Sequence, residues 1–173
     1  MDLLDNELIE NIKTEVINDT IGTFLQNNLK NFNLNKEMKH LERVTGIKTD
    51  IIYWYSRKWK VKDNIVVFLS FAGMIRHNYI DTIIEKIFGD KYFTKFSIYE
   101  DFEELGDDFT LYEIHTTGEL KNTLNEVLQF FQNTGLSFFD KFVTDDDFYQ
   151  YLCVKKTLTM TKIQLQHHQL ENQ

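Results

Sequence analysis

Proline is absent from this chain of 173 residues, and glycine occurs only seven times. Without proline no helix or strand is interrupted by a missing backbone amide, so the turns must be formed mainly by Gly, Asn and Asp. Element boundaries are therefore best predicted from helix caps and from changes in hydrophobic periodicity.

Cysteine and long apolar runs are also scarce. Cys153 is the single cysteine, which excludes an internal disulfide and a cysteine-based zinc cluster. No acid-base partner lies near it in the sequence, so we expect a packed thiol. No apolar stretch approaches the roughly 18 residues of a membrane span, and residues 1–10 lack the basic start and apolar run of a secretory signal. These features predict a cytoplasmic protein that does not contact membranes.

Basic residues are rare in one continuous third of the chain. Between Glu100 and Asp147 there are thirteen acidic residues and only two basic ones, so this acidic segment carries −11, whereas the whole chain carries −8. A field of one sign favours a partner of the opposite sign and opposes contact with phosphate backbones. We therefore predict a basic protein partner and no nucleic acid.

Within the acidic segment, two clusters are the candidate binding residues. They are Glu100, Asp101, Glu103, Glu104, Asp107 and Asp108 in a loop, and the triplet Asp145, Asp146 and Asp147. Neither cluster follows the alternating ligand spacing of an EF-hand loop, so no metal site is predicted. The triplet also suits the first turn of a helix, where carboxylates complement the helix dipole.

Helix caps predict three helices from Asn78 onward. Thr116 and Glu119 match a capping box, and the apolar stripe that follows should end at Gly135. Asn78 should open a ten-residue core helix that ends before Gly89, and Thr144 should open a short final helix. Near the N-terminus, residues 4–16 and 21–32 carry two apolar stripes with room for a break at residues 18–22.

Strands are predicted in the middle of the chain. The candidate runs are Ile51 to Val61, Ile65 to Ala72, Tyr92 to Tyr99 and Phe109 to His115, and the first two should form a hairpin. The 42% hydrophobic content supports one continuous core. We predict a single domain over residues 1–173 with a frayed tail at 166–173. Its fold should be α+β, with a mostly antiparallel sheet of four to five strands, amphipathic helices and a helical N-terminus.

Aromatic and basic residues alternate in the first of these strands. Period-two alternation predicts that Trp59 points inward with Tyr53 and Tyr55, which leaves only Trp54 beside the lysines. Lysines at a sheet edge are an ordinary guard against strand pairing, so this cluster does not change the prediction of no nucleic acid.

Reactive motifs are few. The sequence contains no Walker or dinucleotide glycine loop, no Gly-x-Ser-x-Gly and no His-Glu-x-x-His, so no cofactor is predicted. Glu113 and His115 alternate onto one face of the last predicted strand and are the best catalytic candidates, with Tyr112 as an aromatic neighbour in a pocket. An ordinary solvated pair is the alternative that we favour.

Residues 125–152 carry a family resemblance. An amphipathic helix with Gly135 at its end is followed by Phe138 and Phe139 and then by a capped short helix. This arrangement resembles the C-terminal portion of small bacterial α+β domains of unknown function, some of which resemble immunity proteins of toxin systems. The resemblance covers the last third of the chain and the preceding order of elements. It implies an intracellular binding protein and assigns no functional residue.

Three interpretations of the sequence stay open. The first is a protein-binding module that uses the acidic segment, and the second is a small-molecule-binding domain or enzyme that uses Glu113 and His115. The third is that the acids only keep an aromatic-rich domain soluble.

Overall fold

The computed structural model describes residues 7–37, 39–79, 98–101, 111–151 and 153–154. The chain divides into two compact units, Met1–Phe139 and Asp140–Gln173. That the chain is one folding domain stays a prediction. The expected tail at 166–173 lies outside the described residues.

The first unit is built on an antiparallel sheet. Its strands are β1 (Asn33–Asn35), β2 (His40–Thr45), β3 (Lys48–Val61), β4 (Asn64–His77), β5 (Ile98–Asp101) and β6 (Tyr112–Ile114). Among the described residues these six strands share one sheet in the order β1-β2-β3-β4-β5, and β6 also pairs with β4. The predicted α+β class with an antiparallel sheet is therefore confirmed.

The predicted hairpin is confirmed and is longer than expected, mainly at the end away from its turn. β3 and β4 pair over their whole length, from Lys48 opposite His77 to Val61 opposite Asn64. A two-residue turn joins them, and its first residue, Lys62, has φ +56°. Gly46 has the same positive φ in the turn between β2 and β3, where glycine avoids the steric cost of the left-handed conformation.

β1 and β2 were not predicted, and a buried charge cluster explains why β2 is hard to recognise. Arg43 occupies an inward position of β2, opposite Asp50 of β3, so a charge stands where the alternation needs an apolar residue. Asp50 is fully buried; its Oδ2 lies 2.8 Å from Arg43 Nη2 and its Oδ1 lies 2.8 Å from Lys48 Nζ. The Lys48 ammonium also donates to the backbone carbonyl of Phe139.

The N-terminal helix is continuous. A 3-10 turn (Ile9–Asn11) precedes α1 (Thr14–Asn28), so the break expected at residues 18–22 is wrong. The buried Asn18 is tolerated inside α1 because both ends of its amide group are hydrogen-bonded: Nδ2 donates to the Thr14 carbonyl, and Oδ1 accepts from the Trp54 indole at 3.0 Å and the Ser56 hydroxyl at 2.8 Å.

The helix after β6 begins as predicted and ends differently. α2 (Thr117–Phe130) has the reciprocal capping box of Thr116 and Glu119. It does not stop at Gly135, because the chain continues through a π turn (Phe131–Gly135) into α3 (Leu136–Asp140). A Cβ at Gly135 would lie 2.7 Å from Phe131 Cδ1, so glycine is required there for close packing and not for a left-handed cap.

Helices α1 and α2 carry the apolar side chains that pack on one face of the sheet. Gly22 of α1 lies against the Trp54 ring, and Phe71 of β4 meets the Phe131 ring edge to face at 6.1 Å between centroids. Leu120, Leu124 and Val127 of α2 are buried, as the predicted stripe requires. We call this helix-covered side of the sheet the inner face.

The second unit has a small aromatic cluster and the predicted final helix. The Phe142 ring lies 5.1 Å from both the Phe148 and the Tyr151 rings. Residues 145–151, 153 and 154 are helical.

Cys153 is exposed, so the expectation of a packed thiol is wrong. A hydrogen bond to this thiol raises the pKa of Tyr149.

Several predicted elements extend beyond the described residues. Residues 78 and 79 are helical, but the rest of the helix predicted to end before Gly89 lies outside them. The strand predicted at Tyr92 to Tyr99 is described only from Ile98 onward, as part of β5. In the described part of the chain, no helix is both long and apolar enough to cross a membrane.

Candidate functional site

The side of the sheet opposite the helices exposes aromatic residues that were predicted to be buried. Trp59 is 52% exposed and Tyr55 is 45% exposed, whereas Trp54 is 2% exposed and bonded to Asn18. The predicted inward direction of Trp59 is therefore wrong. Because β3 has aromatic residues at both odd and even positions, alternation alone could not decide which set faces the helices.

We define the outer face as the exposed part of this side near the β3–β4 turn. Paired residues of antiparallel strands share a face, so the register places Arg57, Phe68 and Glu113 in one row across β3, β4 and β6. In the next row Trp59 pairs with Val66. The Arg57 guanidinium lies 4.8 Å from the centre of the Trp59 ring, which is cation–π geometry.

The structure brings Glu113 and His115 together, as the sequence predicted. Glu113 Oε1 lies 3.4 Å from His115 Nε2, and both side chains are partly exposed. This separation is an ion-pair contact and is longer than the roughly 2.6–3.2 Å over which a positioned base takes a proton directly. Both backbone groups of His115 are hydrogen-bonded. Its N–H donates to Glu119 Oε2 at 2.6 Å, and its carbonyl accepts from the Ile9 N–H at 2.8 Å. A catalytic role for them stays a hypothesis.

A shallow depression of about 170 Å³ lies beside this pair, lined by Leu8, Glu10, Asn64, Ile65 and His115. Glu113 is not part of its lining. Tyr112, the expected aromatic neighbour, pairs with Leu69 and therefore belongs to the inner face. Partial burial, followed by the nearby Glu126 carboxylate, raises the pKa of Tyr112. The expected pocket of Tyr112, Glu113 and His115 is not formed as one site.

The described members of the two acidic clusters differ in environment. The backbone of Glu100 and Asp101 lies in β5, opposite Gly73 and Ala72 of β4. Asp145 and Asp146 are exposed. Asp147 Oδ2 accepts hydrogen bonds from the Val143 and Thr144 amides and from the Thr144 hydroxyl, and these bonds lower the pKa of Asp147. The Asp147 carboxylate is therefore used, together with Thr144, to cap the start of the final helix.

The remaining acidic candidates, Glu103, Glu104, Asp107 and Asp108, lie outside the described residues. In the described ranges, no group of three or more His, Cys, Asp or Glu side chains is arranged to hold a metal ion.

No protein-family model matches the chain, and comparison with curated proteins and with solved structures gives no match. The resemblance to immunity proteins therefore stays a hypothesis.

Proposed function

We propose that this protein is a non-enzymatic binding module of the bacterial cytoplasm that recognises a basic protein partner, in the manner of an immunity protein. The observation that carries the proposal is the charge distribution: −11 on residues 100–147 of a chain whose total is −8. Such a segment raises the local concentration of a basic partner and speeds its association.

The exposed side chains at the start of the final helix support this proposal. Asp145 and Asp146 are exposed, whereas the carboxylate of Asp147 is used by the Thr144 cap. We therefore assign recognition to Asp145 and Asp146 within the triplet, together with Glu100, Asp101, Glu103, Glu104, Asp107 and Asp108. Nucleic acid is not expected at this segment, since phosphates carry the same sign of charge.

Capture with matched charge variants tests the proposal. One variant neutralises the loop by Glu103→Gln, Glu104→Gln, Asp107→Asn and Asp108→Asn. The control neutralises four exposed acids outside the acidic segment by Glu10→Gln, Glu15→Gln, Asp19→Asn and Glu37→Gln. Both variants have the same net charge, so only the position of the acids differs.

We expect the wild type and the control to retain a basic protein from a lysate of the native host at low salt, and the loop variant to lose it. Retention by both variants would contradict recognition by the loop, and loss by both would contradict it too and point to net charge alone. Retention of an acidic protein in place of a basic one would contradict the proposed partner class.

A small-molecule site at Glu113 and His115 is the second candidate, favoured by their 3.4 Å approach. A thermal-shift screen against metals and metabolites distinguishes it, because a ligand that binds only the folded state raises Tm. A shift that Glu113→Gln abolishes would favour this candidate, and no shift across a broad panel would contradict it.

A further inference from the structure

The outer face of the sheet has the composition of a protein-binding hot spot. Trp, Tyr and Arg dominate the binding energy of protein interfaces, and Tyr55, Arg57 and Trp59 supply one of each within five residues of β3. Phe68 of β4 lies beside Arg57 and is partly exposed. None of these four residues belongs to the acidic clusters, so the inference does not rest on the proposed function.

The arrangement of charge on this face is complementary to itself. Arg57 on β3 and Glu113 on β6 flank Phe68 in a single row. They carry opposite charges and stand about 5 Å to either side of β4, given the ordinary spacing of neighbouring strands. A twofold axis running along β4, between two sheets packed face to face, would exchange the two sides. It would place each Arg57 opposite the Glu113 of the other copy.

In the two neighbouring rows the twofold axis also sets a residue of β3 against a residue next to β6 of the other copy. The register of β6, if extended by one residue at each end, would place His115 beside Val66 and Leu111 beside Ser70. The same axis then sets Trp59 against the other copy's His115 and Tyr55 against its Leu111, which is 52% exposed. Self-complementarity of this kind, in which residue i meets j and j meets i, is what a symmetric dimer interface requires.

We infer that the outer face binds a second copy of this chain in a twofold-symmetric, sheet-on-sheet dimer centred on Phe68. Arg57 pairs with the other copy's Glu113 at two equivalent places, and the Trp59 and Tyr55 rings supply the apolar contact. The patch spans three strands only and each copy carries −8, so the dimer is weak, with a dissociation constant on the order of 100 µM.

Variants that reverse or exchange the charges of Arg57 and Glu113 test for this dimer. Sedimentation equilibrium of the full chain from about 10 µM to about 1 mM should show a monomer–dimer equilibrium. Arg57→Glu or Glu113→Arg alone places like charges together and should raise the dissociation constant at least about tenfold. The double variant Arg57→Glu/Glu113→Arg restores opposite charges and should return the constant to within about threefold of the wild type.

Lys60→Glu is the matched control, because it makes the same change of charge at an exposed β3 residue of opposite alternation. It should leave the constant within about threefold, and unchanged circular dichroism would confirm that each variant is folded. A chain that stays monomeric at about 1 mM would overturn the inference, and a different protein would then be the candidate partner for the outer face. Failure of the double variant to recover, or equal weakening by Lys60→Glu, would overturn it too.

Discussion

Asp50 shows how one residue can fix the pairing of two strands. Its carboxylate is fully buried between Arg43 and Lys48. Burial of a charge is costly unless its partners are close, so the three side chains stabilise the fold only as a set. A shift of β2 along β3 would separate Arg43 from Asp50 and leave charges unpaired in the interior.

Asp50→Asn is therefore expected to destabilise the protein by about 3–5 kcal/mol, because it leaves two cations without their carboxylate. The free energy of unfolding, measured by urea denaturation, checks this. Asp63→Asn is the control, since Asp63 lies exposed in the β3–β4 turn and should change stability by no more than about 0.5 kcal/mol. Equal effects of the two substitutions would contradict the role given to the cluster.

Interactions between residues close in the sequence were predictable, whereas side-chain directions that depend on residues far away in the sequence were not. The capping box of Thr116 and Glu119 was correct because both partners lie within one helical turn. The faces of Trp54 and Trp59 were assigned wrongly because the deciding partner, Asn18, lies 36 residues away in α1. The approach of Glu113 to His115 was predictable from strand alternation alone.

At the scale of elements, the final helix depends on a carboxylate that serves its own N-terminus. Asp147 accepts three hydrogen bonds from Val143 and Thr144 in its ionised form. These bonds lower the pKa of Asp147 below its ordinary value of 3.8. The sequence placed this side chain both in a candidate binding cluster and in the first turn of a helix, and its hydrogen bonds to Thr144 decide for the capping role.

This lowered pKa predicts the pH dependence of the helix start. A carboxyl group whose pKa is depressed by folding contributes stability that is fully present above its unfolded pKa and is lost as pH falls through the folded value. The Thr144 amide resonance in NMR should therefore titrate below pH 3.8 in the wild type. Asp147→Asn should abolish that titration and Asp145→Asn should retain it. A titration that survives Asp147→Asn would contradict the cap.

Elements with regular periodicity were predictable, whereas those with close packing or buried charge were not. The β3–β4 hairpin followed from alternation and from the polar turn at Lys62. β2 was not predicted because Arg43 occupies a position where the alternation of a strand needs an apolar residue. Gly135 was misread as a terminator because the sequence does not distinguish a left-handed glycine from one that makes room for the Phe131 ring.

At the scale of the whole molecule, two features of different character are proposed to mediate binding. In the proposed function the acidic segment supplies a long-range field, which would mainly affect the rate of association with a basic partner. In the inferred dimer the outer face around Trp59 supplies a short-range aromatic contact, which would mainly affect how long the complex lasts. The charge of the acidic segment follows from composition alone, whereas the outer face could be recognised only from which side of β3 the helices cover.

The rate of association with the captured basic partner, followed by stopped flow at increasing ionic strength, tests the central claim most directly. If the acidic segment steers the partner, the rate constant should fall steeply between low salt and about 0.15 M, where the Debye length shortens to about 8 Å. The loop variant should show a lower rate and a shallower slope, and the control with neutralised acids elsewhere should behave nearly as the wild type. A rate constant that does not change with ionic strength would contradict the account.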